Sequence, residues 1–279
     1  MKGSLFILLV DYIEHKKPFF FQVSLQRVAQ SNTIQRGHKC MGTMITLQHV
    51  LTAASCLYDI VNGVSVPITP ADYRIFGGSA SLLEDGDLNR LRLIANFTIH
   101  PSYIPPPASI NDIAVITLTQ PFLNTTVVPI SLPVEDLSVE DFTLCNIASW
   151  GSMNATSTAS YSLRSTSKFI YNHALCEYVY SQRPSNLNVF HSMVCAASYD
   201  IVSSGCTGDI GTALACNGAL TGVLVQTNEC NFWAYPEIYT RVSNYTTWIR
   251  TISASDTIRP ELTLFTILAI VTARFISRA

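Results

Sequence analysis

The chain has 279 residues, of which 13% are charged and 48% hydrophobic, and its formal net charge is −2. Without a basic excess it carries no electrostatic footprint for nucleic acid, and without an acidic run it has no solvating arm. No P-loop, dinucleotide fingerprint or CxxC metal knuckle occurs, so neither a cofactor nor a metal is expected.

A chain of this length makes one large all-β unit or two smaller units, and it buries a substantial core without metals or cross-links. Met1-Lys2 and the apolar run Leu5 to Val10 resemble the start of a secretory leader, closed early by Asp11 and with no small-x-small cleavage site after it. Gln22-Val-Ser-Leu-Gln26 and Met44-Ile-Thr-Leu47 are runs of strand length, and His49 is placed in a further strand ahead of Ser55. Ile104-Pro-Pro-Pro-Ala-Ser109 reads as a loop, followed by a strand at Ile113-Ala-Val-Ile-Thr-Leu118. Arg183-Pro-Ser-Asn186 is a second loop, and Gly222-Val-Leu-Val225 is another strand. Val242, Tyr245, Trp248, Ile249 and Ile252 recur at helical spacing, which predicts one helix near the end. Repeated short strands separated by turn signals predict a sandwich or barrel.

Beyond the helix, Leu262 to Ala273 is apolar and is followed by Arg274 and Arg278. Twelve residues are too few to span a bilayer comfortably. With Ser253-Ala254-Ser255 and a short polar spacer, this tail reads either as a lipid-anchor signal or as a plain extension. Eight cysteines at wide spacing suit disulfides in an oxidising compartment better than a zinc site. Four glycosylation triplets, at Asn96, Asn124, Asn154 and Asn244, point the same way.

Several segments together resemble the chymotrypsin/trypsin family over residues 18–253, leaving 1–17 as a leader segment and 254–279 as a tail. They are Phe21-Gln-Val-Ser-Leu-Gln26, Cys40-Met-Gly-Thr-Met-Ile45, Val50-Leu-Thr-Ala-Ala-Ser-Cys56 and Asn111-Asp-Ile-Ala-Val-Ile-Thr-Leu118. Cys145 with Trp150-Gly151 follows, then Cys206-Thr-Gly-Asp-Ile-Gly-Thr-Ala-Leu-Ala-Cys216, Pro236-Glu-Ile-Tyr-Thr-Arg-Val242 and Tyr245-x-x-Trp248-Ile249. The resemblance implies an all-β fold of two packed six-stranded antiparallel barrels with a short C-terminal helix and a cleft between the barrels. It also implies the bridges Cys40–Cys56, Cys145–Cys216, Cys176–Cys195 and Cys206–Cys230.

By the same resemblance, Ser55 stands where the family has its base histidine, Asp112 where it has the orienting aspartate, and Ile210 where it has the nucleophile. A serine hydroxyl is too weak a base to activate another hydroxyl, and isoleucine has no attacking atom. His49, His100, His38, His173 and His191 have no claim on the vacant role. Gly208 keeps one oxyanion-hole amide, with the backbone of Ile210 as the second donor. Ser204 takes the base of the specificity pocket, and Val225-Gln226-Thr227 replaces the substrate-pairing Ser-Trp-Gly of active relatives. Glu237 replaces a glycine and is expected to block the pocket or to place a charge in it. Active relatives also free an Ile-Val-type N-terminus to pair with the aspartate before the nucleophile. Here Ile7-Leu-Leu-Val10 has no suitable basic residue before it except Lys2, so Asp209 is expected to stay solvated or locally bonded.

These features imply a secreted, non-catalytic homologue that binds extracellular proteins, such as active proteases or their substrates, and has no nucleic-acid partner. A membrane-tethered adhesion module, using residues 262–273, and a hydrolase of altered mechanism are the alternatives.

Overall fold

A computed structural model describes residues 19–106, 108–151, 160–183, 188–198, 209–227 and 235–255. The first half contains β1 (Gln22–Arg27), β2 (His38–Met44), β3 (His49–Thr52), β4 (Tyr58–Val61), β5 (Val64–Pro67), β6 (Tyr73–Gly77), β7 (Leu91–Ile99) and β8 (Ala114–Leu118). All but β4 and β5 close into an antiparallel barrel in the order β1-β2-β3-β8-β7-β6. The second half contains β9 (Leu144–Ser149), β10 (Arg164–Tyr171), β11 (Met193–Ala197), β12 (Ala213–Cys216), β13 (Ala219–Gln226) and β14 (Glu237–Arg241). These close in the order β10-β11-β14-β13-β12-β9. The expected pair of six-stranded barrels is therefore present.

Closure removes the free edges that open sheets expose. In β8 every residue from Ala114 to Leu118 is buried, and this strand pairs with β3 through Val50↔Ile116 and Leu51↔Val115. Where the barrels meet, Met41, Phe76, Leu82 and Trp150 form a shared apolar cluster. The Trp150 indole donates to the Ala80 carbonyl across that contact at 3.0 Å.

The strand expected at Met44–Leu47 ends at Met44. The hydroxyl of Thr46 accepts from the amides of Gln48 and His49, which draws this stretch out of the ladder and into the turn leading to β3. The predicted C-terminal helix is found as a 3-10 turn, Val242–Tyr245, running into α2 (Thr246–Ser255). A helix that periodicity did not predict, α1 (His173–Ser181), precedes it in the chain. Its start is marked by Asn172, whose side chain accepts from the amide of Leu175 as an N-cap.

Strands β4 and β5 form a separate hairpin that begins three residues after Ser55. Its Asn62-Gly63 turn has positive φ at both residues, as a two-residue hairpin loop requires. Ile60, Val61, Val64 and Val66 are all exposed along it. The base is pinned by Asp59, whose carboxylate receives Arg27, Lys39 and the Tyr73 hydroxyl, each at 2.7 Å.

Three disulfides are formed, Cys40–Cys56, Cys145–Cys216 and Cys176–Cys195. The fourth expected bridge, Cys206–Cys230, lies outside the described residues, as do Asn154, residues 1–17 and the tail 262–273. Among the described residues, no helix is long and apolar enough to cross a membrane. Asn96, Asn124 and Asn244 are all exposed.

The Cys145–Cys216 bridge ties residues 71 positions apart and joins β9 to β12. Replacing both cysteines with alanine is expected to cost about 2–5 kcal/mol, by freeing the unfolded chain. A urea-unfolding midpoint unchanged from the parent would contradict this.

Candidate functional site

The site lies at the seam between the barrels. Asp112 enters from the loop before β8. Asn111 adopts the left-handed conformation there (φ 51°), which asparagine tolerates better than most residues. Its side-chain oxygen accepts from the Tyr245 hydroxyl at 2.7 Å, and this fixes the turn that directs Asp112 inward.

Asp112 is fully buried. Its Oδ1 accepts from the Ser55 amide at 2.8 Å, and its main-chain carbonyl accepts from the Thr240 hydroxyl of β14 at 2.8 Å. Its Oδ2 is buried and makes no hydrogen bond. Burial pushes the carboxyl up to about 6, although the Ser55 amide and hydroxyl and the Ala54 amide pull it down.

Ile210 reaches the same seam from the second barrel. Its carbonyl accepts from the Met41 amide at 2.8 Å and lies 3.6 Å from Cys56 Sγ, next to Ser55. Gly211 follows with φ +89°, and a Cβ built there would fall 2.1 Å from the Met41 carbonyl oxygen. Only glycine fits this approach. The half-buried Ile210 packs against two apolar clusters, one drawing on both barrels and one within the second.

Asp209 was expected to be solvated or locally bonded. It is 7% exposed, which agrees with the second of these alternatives. Its carboxylate fills the space beside Gly151, where an added Cβ would fall 2.1 Å from Oδ1. The neighbouring Trp150 ring packs edge-on against His38, whose Nδ1 lies 2.7 Å from the Ser24 hydroxyl.

Glu237 was expected to block the pocket or to place a charge in it. Its carboxylate sits 1% exposed inside the second barrel. It accepts from Lys168 Nζ at 2.8 Å and from the Tyr239 hydroxyl at 2.6 Å. Burial, Glu237 and Asp209 together hold the Tyr239 phenol well above its ordinary pKa.

A family model described as Trypsin matches residues 14–249. The chain belongs to the trypsin family. Trypsin-1 of Gadus morhua is 26% identical over 260 residues, which is 91% of this chain and 100% of that protein. Chymotrypsin-like elastase family member 1 of Canis lupus familiaris is 30% identical, over 84% of this chain and 88% of its own. The proclotting enzyme of Tachypleus tridentatus is 27% identical over 77% of this chain, but only 58% of that longer protein is spanned. Among solved structures, mouse neuropsin, a serine protease, superposes with a TM-score of 0.69 at 26% identity, covering 85% of this chain and 95% of that one. Human heparin binding protein gives 0.66 at 25% identity, with coverages of 84% and 91%.

Ser55 and Asp112 meet through the Ser55 amide, and the Ile210 carbonyl lies against Cys56, the residue after Ser55. Val225 is buried at the inner end of β13, and Gln226 and Thr227 follow it, half-buried. Ser204 and Gly208 lie outside the described residues. The histidines are engaged elsewhere. His49 is buried with Nδ1 2.8 Å from the Thr46 hydroxyl, His100 packs on the rings of Tyr245 and Trp248, and His173 stacks on His191. Burial lowers the pKa of His100 and of His173.

Lys168, in a strand without a motif, and Tyr239, inside one, are partners of Glu237 to which the sequence assigned no role. For Lys168 the available signal was strand alternation, because it shares the parity of buried Ile170.

The folded protein holds the Asp112 proton more tightly than the unfolded chain, whose aspartate titrates near 3.8. Asp112 therefore lowers stability as pH rises from about 4 through about 6, by an amount on the order of 3 kcal/mol at full effect. Asp112→Asn removes that titration. The variant's melting temperature, relative to the parent's, should be more favourable at pH 8 than at pH 4. A difference independent of pH would contradict the raised pKa.

Proposed function

We propose that this chain is a secreted, non-catalytic member of the trypsin family that acts by binding extracellular proteins. It serves as a regulator, cofactor or decoy in a process such as a proteolytic cascade, immunity or reproduction. Active proteases or their substrates are the partners that a surface shaped like this would meet.

The observation that carries the reading is the buried Asp112 Oδ2, which makes no hydrogen bond. In a working triad that atom orients an imidazole, and the imidazole takes a proton from the nucleophile. Here the neighbouring side chain is Ser55, and the residue at the nucleophile position is Ile210. A carboxylate with no base to orient and no nucleophile to serve supplies none of the coupled steps of acyl transfer. Three disulfides and three exposed sequon asparagines support export, with sugar expected on at least some of Asn96, Asn124, Asn154 and Asn244.

Heparin binding, which the name of one structural relative states of that protein, gains no support from the charge pattern. The net charge is −2, and Arg27, Lys39, Arg74 and Arg90 each pair with a carboxylate.

The purified protein should hydrolyse no member of a broad peptide library and form no fluorophosphonate adduct. An adduct mapping to any residue of the cleft would refute the proposal. Ser55→His with Ile210→Ser should also remain inactive, because Glu237, paired with Lys168, still stands where active relatives carry glycine and Val225-Gln226-Thr227 still replaces Ser-Trp-Gly. Adding Glu237→Gly alone is a poor remedy, since it strands a buried ammonium. Lys168 must be replaced with it, as in Lys168→Ala. Rapid cleavage by the simple double variant would show that substrate recognition had survived.

A further inference from the structure

Away from the seam, the second barrel holds a cavity of about 150 Å³ that none of Ser55, Asp112 and Ile210 lines. Ala219, the first residue of β13, Arg241, the last of β14, and Val194, near the start of β11, all line it. These strands are antiparallel neighbours, so the cavity sits at one end of the barrel. Its walls are mainly apolar. Val194 belongs to the inner cluster of the barrel, Val139 packs on that cluster, and Leu137 stands beside them from the segment ahead of β9. Apolar cavities of about this volume accept a benzene ring.

Two polar side chains break the apolar lining. Arg241 donates from Nε and Nη2 to the main-chain carbonyls of His191 and Met193, at 3.1 and 3.0 Å, which leaves Nη1 outside both bonds. Among the described residues no carboxylate lies within ion-pair distance of its guanidinium. Burial lowers the pKa of this group, and no neighbouring anion offsets the effect. Ser243, in the turn after β14, is 2% exposed, and its hydroxyl has no hydrogen-bond partner. A buried hydroxyl left without a partner is costly to the fold.

We propose that this cavity binds a small monocarboxylate with an apolar body, either an aromatic acid or a short-chain aliphatic one. The body fills the space against Val139 and Val194, and the carboxylate meets Arg241. A guanidinium suits a carboxylate in shape and charge, and the Ser243 hydroxyl offers it a second donor. A mainly apolar hollow with a few polar groups to fix orientation is the usual form of a small-molecule site. Because its wall belongs to the inner cluster of the barrel, a bound acid stabilises the closed barrel.

Benzoate is the probe, and benzyl alcohol carries the same ring without the charge. At about ten times its dissociation constant and matched ionic strength, benzoate should raise the parent's thermal midpoint by about 3 °C or more. Benzyl alcohol should raise it by clearly less. Ala219→Leu, which fills the cavity and leaves both Arg241 bonds in place, should lose the response to benzoate. Arg241→Met keeps an unbranched stem and should erase the advantage of acid over alcohol. The Ala219→Leu comparison stands whether or not Arg241→Met folds. Equal shifts from acid and alcohol in the parent, no shift from either, or a benzoate shift that survives Ala219→Leu overturns the proposal.

Discussion

The two barrels are locked together by main-chain contacts around Met41. Its amide donates to the Ile210 carbonyl, its own carbonyl receives the Thr52 hydroxyl at 2.7 Å, and Gly211 passes against that carbonyl with no space for a Cβ. The Gly211 amide then bonds the Leu224 carbonyl, and the Leu224 amide returns to Thr212. None of these bonds uses the side chain of residue 210. The loop is therefore held in place whatever side chain it carries there, and an isoleucine is accommodated by packing on the apolar clusters beside it. Chemistry and architecture are separable at this seam because the architecture is written in backbone atoms.

Asp112 shows the same separation from the other side. Its main-chain carbonyl and one carboxylate oxygen brace Thr240 and Ser55, so an aspartate here has structural work that outlasts any catalytic one. The second oxygen has no such work, and burial raises the cost of keeping the group charged. Half of the carboxylate supports the fold, and the other half is left from a chemistry that the proposed reading says is gone.

The barrels were legible in the sequence because motif order, and not periodicity, carried them. Runs such as Ile113–Leu118 are apolar on both faces and look alike whether they sit in a barrel or in a sandwich. Hydrophobic pattern missed α1, whose best signal is the single cap Asn172, and it extended a strand through Thr46, whose hydroxyl captures two backbone amides. At the site, the contact of Ser55 with Asp112 and the place of Ile210 beside Cys56 follow segments that lie within motifs. The Glu237 environment was not readable, because its partner Lys168 lies 69 positions away in a strand with no motif. Charge type reads from sequence, but pairing across an intervening strand depends on barrel closure.

The chain has only five lysines, Lys2, Lys16, Lys17, Lys39 and Lys168. Lys39 is already tied to the Asp59 carboxylate and the Tyr58 carbonyl. Lys168 is walled off from water, so an acylating reagent meets its amine only after the second barrel opens. Acylation at that one position, followed over time, clocks how often the barrel opens, and the protein thus carries a built-in reporter of its own breathing.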